Sequence, residues 1–258
     1  MIEKRDILFT PANEMRTLHI YLPDDYGMSG ERYPVMYFFD GHNLYFDADA
    51  TYGKAWGLKS FLDSWEKKMI VVGMECSHTG NERLEEYLPY PASETFFGPL
   101  EVRGDETLEW ILREVKPMID WEYRTIPFRE CTGIAGSSMG GLMAIRAAVH
   151  YNRWFSKAAC LSSAIGFCPD GVLADVYGSE INPDTRMYLS WGSREAWGEH
   201  DPLHEDARSE SYQWNHAIAR RIGQCGGAAW ACCQEGGGHS EADWEKLVPD
   251  FMDFLWMR

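Results

Sequence analysis

The stretch Cys131 to His150, CTGIAGSSMGGLMAIRAAVH, decides the reading of this chain. It opens as a short apolar strand and closes in LMAIRAAVH with helical periodicity. Between the two stands Gly136-Ser137-Ser138-Met139-Gly140, a G-x-S-x-G turn in the strand, sharp turn, helix setting of a nucleophile elbow. Such a turn forces its central residue into a strained backbone conformation, and a Cβ at either flanking glycine would strike the neighbouring strand or helix. Ser138 is thereby expected to lift its Oγ above the carboxyl edge of a sheet. It stands at the start of a helix whose dipole favours developing negative charge.

Outward from the elbow, apolar β-rich runs alternate with helical patterns, the signature of a mostly parallel sheet with helices on both faces. Strands are expected at Ile2 to Thr10, Thr17 to Leu22, Tyr33 to Phe39, Met69 to Glu75, Cys131 to Gly136, Lys157 to Ser162, Arg186 to Ser190 and Ala228 to Gln234. The first two, joined by PANEM, should form an antiparallel hairpin. Helical spacing runs over Thr107 to Ile119, Met139 to Val149, Ser209 to Ile222 and Glu241 to Met257. No repeat or Gly/Ser linker divides the chain, so residues 1–258 are expected to form one α/β domain. Cys76 to Gly104, with three prolines and no period, is expected to be a functional excursion, a lid or pocket wall.

A serine hydroxyl needs a base, and the base an acid to fix its tautomer. With an elbow of this kind the chain order is serine, acid, histidine. The strand ending at Ser190 runs into WGSREAWGEHD, which offers Glu195 and Asp201 as the acid. The last strand runs into EGGGHSEADW, which presents His239 in a glycine-rich loop before the final helix. His19 lies in a hairpin strand, His150 ends a helix and His216 sits mid-helix, while His200 and His204 come before the last strand and break the order. The oxyanion needs two backbone N–H donors. Met139 follows the nucleophile, and Gly41 in DGHN permits a close approach that brings forward the His42 N–H. That role accounts for His42 without making it a base or a metal ligand.

Composition bounds the partners. Lys plus Arg total 24 against 40 Asp plus Glu, a net charge of −16, which repels phosphate backbones and anionic membranes, so neither nucleic acid nor a membrane is an expected partner. MIEKRDILFT has no apolar signal core, and the seven cysteines form no C-x-x-C pair, so a cytoplasmic, reduced protein is expected. His200 and His204 lack a third ligand and are separated by Pro202, and Asp47 and Asp49 begin a calcium-like loop that lacks its glycine and glutamate. No metal or cofactor is expected.

The segments FFDGHNLYFD, AWGL, ERLEEYLPY, DWEYRTIPFRECTGIAGSSMGGLMAIRAA, WGSRE and EGGGHSEADWEKLVPDFMDFL, in this order, resemble the putative esterase family. That family includes enterochelin esterase, feruloyl and acetyl xylan esterase modules, S-formylglutathione hydrolase and mycolyltransferases. The resemblance spans nearly the whole chain. It implies the α/β-hydrolase fold, a triad of Ser138, Glu195 and His239, and an oxyanion donor at His42. It also implies a small-molecule or saccharide ester as substrate. Its elbow departs from that of the formylglutathione hydrolases. The expected activity is serine carboxylic-ester hydrolysis, with acyl transfer to an alcohol, or a non-catalytic binding role, as alternatives. Arg83 in the excursion is expected either to anchor a substrate carboxylate or hydroxyl or to tie the loop down.

Overall fold

Thr10 to Asn13, with Asn13 in the left-handed region (φ 54°), turn the first strand back on the second and start an eight-stranded sheet. Its strands are β1 (Ile2–Phe9), β2 (Glu14–Tyr21), β3 (Val35–Phe39), β4 (Ile70–Met74), β5 (Thr132–Ser137), β6 (Lys157–Leu161), β7 (Arg186–Gly192) and β8 (Ala228–Gln234), in the order β1-β2-β4-β3-β5-β6-β7-β8. β1 and β2 pair antiparallel, as do β2 and β4, and the remaining neighbours are parallel. The computed structural model describes residues 1–92, 97–195 and 209–257.

Eight α-helices flank the sheet among the described residues: α1 (Leu58–Ser64), α2 (Glu82–Glu86), α3 (Gly104–Trp110), α4 (Lys116–Glu122), α5 (Met139–Val149), α6 (Pro169–Gly178), α7 (Glu210–Gln224) and α8 (Glu241–Trp256). None is long and apolar enough to cross a membrane. The pleat sorts the core into two layers. In β3, Val35, Tyr37 and Phe39 face the layer that holds Leu142 and Ile145 of α5, whereas Met36 and Phe38 face the layer with Trp56, Trp244 and Phe251. Every residue of the central strands β3, β4 and β5 is buried, so the middle of the sheet is covered on both faces.

Three departures from expectation matter here, beyond shifts of one to three residues at other element ends. Tyr33 stands outside β3: Pro34 has no N–H to give a ladder, and Tyr33 instead makes an isolated bridge to Thr125. The helix expected at Thr107 starts at Gly104 and continues to Glu122 through a widened π turn at Ile111–Val115. That turn ends two residues before Pro117, whose ring would otherwise press on the carbonyl four residues back. The described part of the excursion is also more ordered than its sequence suggests. It contains α2, whose Glu86 is buried, accepts from Arg16 Nη2 at 2.6 Å and receives the Ser77 N–H at 3.0 Å.

Candidate active site

β5 ends against α5 with almost no connecting chain, and the backbone shows why. Ser138 takes φ 57° and ψ −124°, a combination an L-residue adopts only under compulsion. The compulsion comes from crossing segments, since a Cβ on Gly136 would lie 2.6 Å from the carbonyl carbon of Gly140. The Ser138 N–H bonds the Leu161 carbonyl of β6 at 3.0 Å, and the Ser138 carbonyl accepts from Leu142 and Ala164, each at 3.0 Å. Met139 is the first residue of α5, so its N–H is among the first-turn donors with no intrahelical acceptor. Ser137 lies inside β5 and is 6% exposed, while Ser138 is half-buried.

Glu195 lies just beyond β7, in a turn stitched to the loop after β8. The Ser193 N–H bonds the Gln234 carbonyl, the Arg194 N–H bonds the Gly237 carbonyl (both 3.0 Å), and the Gly236 N–H reaches Ser193 Oγ at 2.8 Å. The Glu195 carboxylate accepts from the Gly192 N–H at 2.8 Å, from the Ser162 hydroxyl, and on its other oxygen from His239 Nδ1. Burial alone would raise this carboxyl, but the bonds from His239, Ser162 and Gly192 outweigh it and hold it below the usual carboxylate range. Ser162 is itself fixed. It adopts φ 46° and accepts from the Trp244 indole N–H at 2.9 Å, and Trp244 meets the His239 ring edge to face at 5.1 Å. The chain Trp244, Ser162, Glu195, His239 therefore aims one imidazole.

Two cavities meet at this point, and Ser138 and His239 line both. One, of about 380 Å³, is walled chiefly by Leu84, Phe97, Ala164, Phe167, Trp191 and Trp214. The other, of about 360 Å³, is polar, with Asp40, His42, His78, Arg83, Ser137 and Glu241 among its lining residues. Both sizes suit a small organic ligand.

The DGHN segment follows β3. Asp40 is left-handed (φ 57°), and Gly41 opens a single 3-10 turn through Asn43. A Cβ on Gly41 would sit 2.3 Å from the carbonyl carbon of Gly73, so only glycine lets this turn lie on β4. Arg83 clasps Asp40 in a bidentate pair, Nε to Oδ1 at 2.7 Å and Nη2 to Oδ2 at 2.8 Å, and its guanidinium stacks over Tyr87. Burial would raise the Asp40 carboxyl, but Arg83 overcomes this and holds it below its ordinary value. Arg83 thus ties α2 to the end of β3 and still lines the polar cavity.

The structure thus brings Ser138, Met139, Glu195, His239, His42 and Arg83 to one end of the sheet. Asp201, His200 and His204 lie outside the described residues. Ser162 and Trp244 were not anticipated: Ser162 ends a predicted strand, Trp244 sits in a predicted helix, and the two are 82 residues apart. A second set was also missed. His42, Glu75 and His78 each place a potential ligand atom within 4.8 Å of the other two. The available signal was that the two neighbouring parallel strands β3 and β4 both run into such residues at their carboxyl ends.

Residues 10–254 match the family described as Putative esterase. The chain is 26% identical over 186 residues to the uncharacterized protein YbbA of Bacillus subtilis, covering 70% of this chain and 69% of that protein. It is 31% identical over 142 residues to Esterase MT1326 of Mycobacterium tuberculosis, covering 55% of this chain but 28% of that longer protein. Among solved structures, an IroE-like serine hydrolase from Shewanella oneidensis superposes with a TM-score of 0.74 at 20% identity, over 98% of this chain and 79% of that one. The fold is that of the α/β serine hydrolases and esterases.

Proposed function

The chain belongs to the Putative esterase family, and from that premise we propose that it is a serine carboxylic-ester hydrolase working through an acyl-enzyme. One observation carries the reading: His239 is bonded through Nδ1 to a carboxylate with two further holds, and its ring lines the same cavities as the strained Ser138. A carboxylate on Nδ1 leaves Nε2 as the basic nitrogen. In the proposed cycle Ser138 Oγ attacks the ester carbonyl as His239 Nε2 takes its proton. Glu195 orients the ring and balances the imidazolium. The His42 and Met139 N–H groups receive the oxyanion, and His239 returns the proton to the leaving alkoxide. Water activated by His239 then cleaves the acyl-enzyme.

The two cavities suggest how the ester lies. An aromatic or aliphatic portion suits the wall of Phe97, Phe167 and Trp214, and a hydroxylated or charged portion, as in a saccharide or small polar ester, suits the chamber of Arg83, His78 and Glu241. Arg83 contacts the substrate there in addition to its bond to Asp40. A fluorophosphonate probe tests the chemistry, because only an activated serine reacts with it. Peptide mapping is expected to place the adduct on Ser138, with none on Ser138→Ala. Absence of an adduct, or an adduct on another serine, removes the assignment. Product analysis with added alcohol separates hydrolysis from transfer.

A further inference from the structure

We propose that His42, Glu75 and His78 form a binding site for one divalent transition-metal ion of the Zn²⁺ class, at the rim of the polar cavity. The topology creates the cluster: Phe39 of β3 is in register with Met74 of β4, so the residues that follow the two strands emerge side by side. His42 comes from the first, and Glu75 and His78 from the second. Their candidate ligand atoms lie within 4.8 Å of one another, and the His42 and His78 rings meet at 4.7 Å.

A second observation points to a ligand. His42 is 6% exposed, and its Nδ1 is buried with no hydrogen-bond partner among the described residues. An orphaned buried nitrogen carries a desolvation cost that a metal bond would remove. The other ring nitrogen, Nε2, is occupied by the Thr51 hydroxyl at 2.9 Å, the outer-shell contact that fixes the ring of a ligating histidine. Glu75 is arranged in the same way: His19, 2% exposed, holds Oε1 at 2.6 Å, while Oε2 lies 3.6 Å from His78 Nε2. Two ligand atoms about 2.0–2.1 Å from a tetrahedral ion stand roughly 3.3 Å apart. The observed pair is near that spacing, and His78, whose side chain is 57% exposed, is free to adjust.

Two imidazoles and a carboxylate are ligands for zinc, and three protein ligands leave a position for water or for an oxygen of a molecule in the cavity that His42 and His78 line. The site stands independently of the esterase reading, because its test involves no ester.

The test uses the full chain, stripped with chelator, and titrates Zn²⁺ against a chromogenic chelator, with Co²⁺ as a spectroscopic substitute. The expected result is one equivalent bound, with cobalt absorption of tetrahedral character and no thiolate charge-transfer band. Affinity should fall at least tenfold in both Glu75→Gln and His78→Ala and stay unchanged in His239→Ala. Because His78 is largely exposed, its variant separates lost ligation from lost folding. The proposal is overturned by failure to bind one equivalent, by affinity that survives both substitutions, by loss in His239→Ala, or by a thiolate band that assigns the ion to cysteine.

Discussion

Ser137 and Ser138 are neighbours with the same hydroxyl and opposite prospects, because backbone geometry alone decides which one meets solvent. Ser137 pairs within the sheet, and Ser138 is turned out at φ 57°. Ser138→Ala is expected to lower kcat on a p-nitrophenyl ester by about 10⁴ to 10⁶ with folding intact, and Ser137→Ala to retain most activity. Steady-state kinetics of the two purified variants decide the matter, and the reverse ranking moves the nucleophile. Ser162 makes a subtler case. Its hydroxyl supplies one of the holds on Glu195, and a hydrogen bond to a charged group is worth about 1.5–3 kcal/mol, so Ser162→Ala should cost roughly ten- to hundredfold in kcat with little change in KM. Trp244→Phe, which removes only the indole donor that fixes Ser162, should cost less. Loss confined to KM in either variant would place these residues in substrate binding instead.

Between elements, the ion pair of Asp40 and Arg83 joins the end of β3 to α2. Asp40 titrates lower in the folded chain than its ordinary value near 3.9. A depressed carboxyl contributes stability at pH values above its unfolded pKa and loses that contribution as pH falls through the folded one. Asp40→Asn is therefore expected to be about 1–3 kcal/mol less stable than the parent at pH 7. The gap should close as the pH drops below about 4, which denaturant unfolding at a series of pH values measures. A gap independent of pH would mean that the Asn side chain itself, and not the lost charge, causes the effect. This pair also shows how far the sequence was legible. The runs that become strands, the hairpin, the elbow and the glycine-rich loop of His239 are visible locally, because alternation and glycine spacing act over a few residues, whereas the choice of Glu195 over Asp201 rests on the family resemblance. The Arg83 and Asp40 contact, the Ser162 hold on Glu195 and the meeting of His42 with Glu75 depend on strand neighbours 33 or more residues apart, and no periodicity encodes them. Helices α1 and α2 escaped for another reason: they are short, and α2 with five residues is stabilised by the Glu86 anchor more than by its own pattern.

At the scale of the whole molecule, the sheet divides most of its loops between two cavities, and the segment after β4 serves both. The apolar cavity draws on the segments after β6 and β7, on α7 and on Leu84 and Phe97 from the segment after β4, and the polar cavity on the segments after β3 and β4 and the start of α8. Trp214→Ala in α7 should accordingly lower kcat/KM for aryl esters relative to acetyl esters while leaving fluorophosphonate labelling of Ser138 nearly unchanged. Equal losses toward both esters and the probe would show that α7 supports the fold more than the pocket. Because Ser138 and His239 form the shared partition, the molecule works as a vice with one fixed anvil and two exchangeable jaws. A lineage can recut the α7 side of the apolar jaw, or an engineer can graft it from a relative, and so change one half of the accepted molecule, whereas recutting the polar jaw around His42 also reaches the proposed oxyanion donor at the anvil.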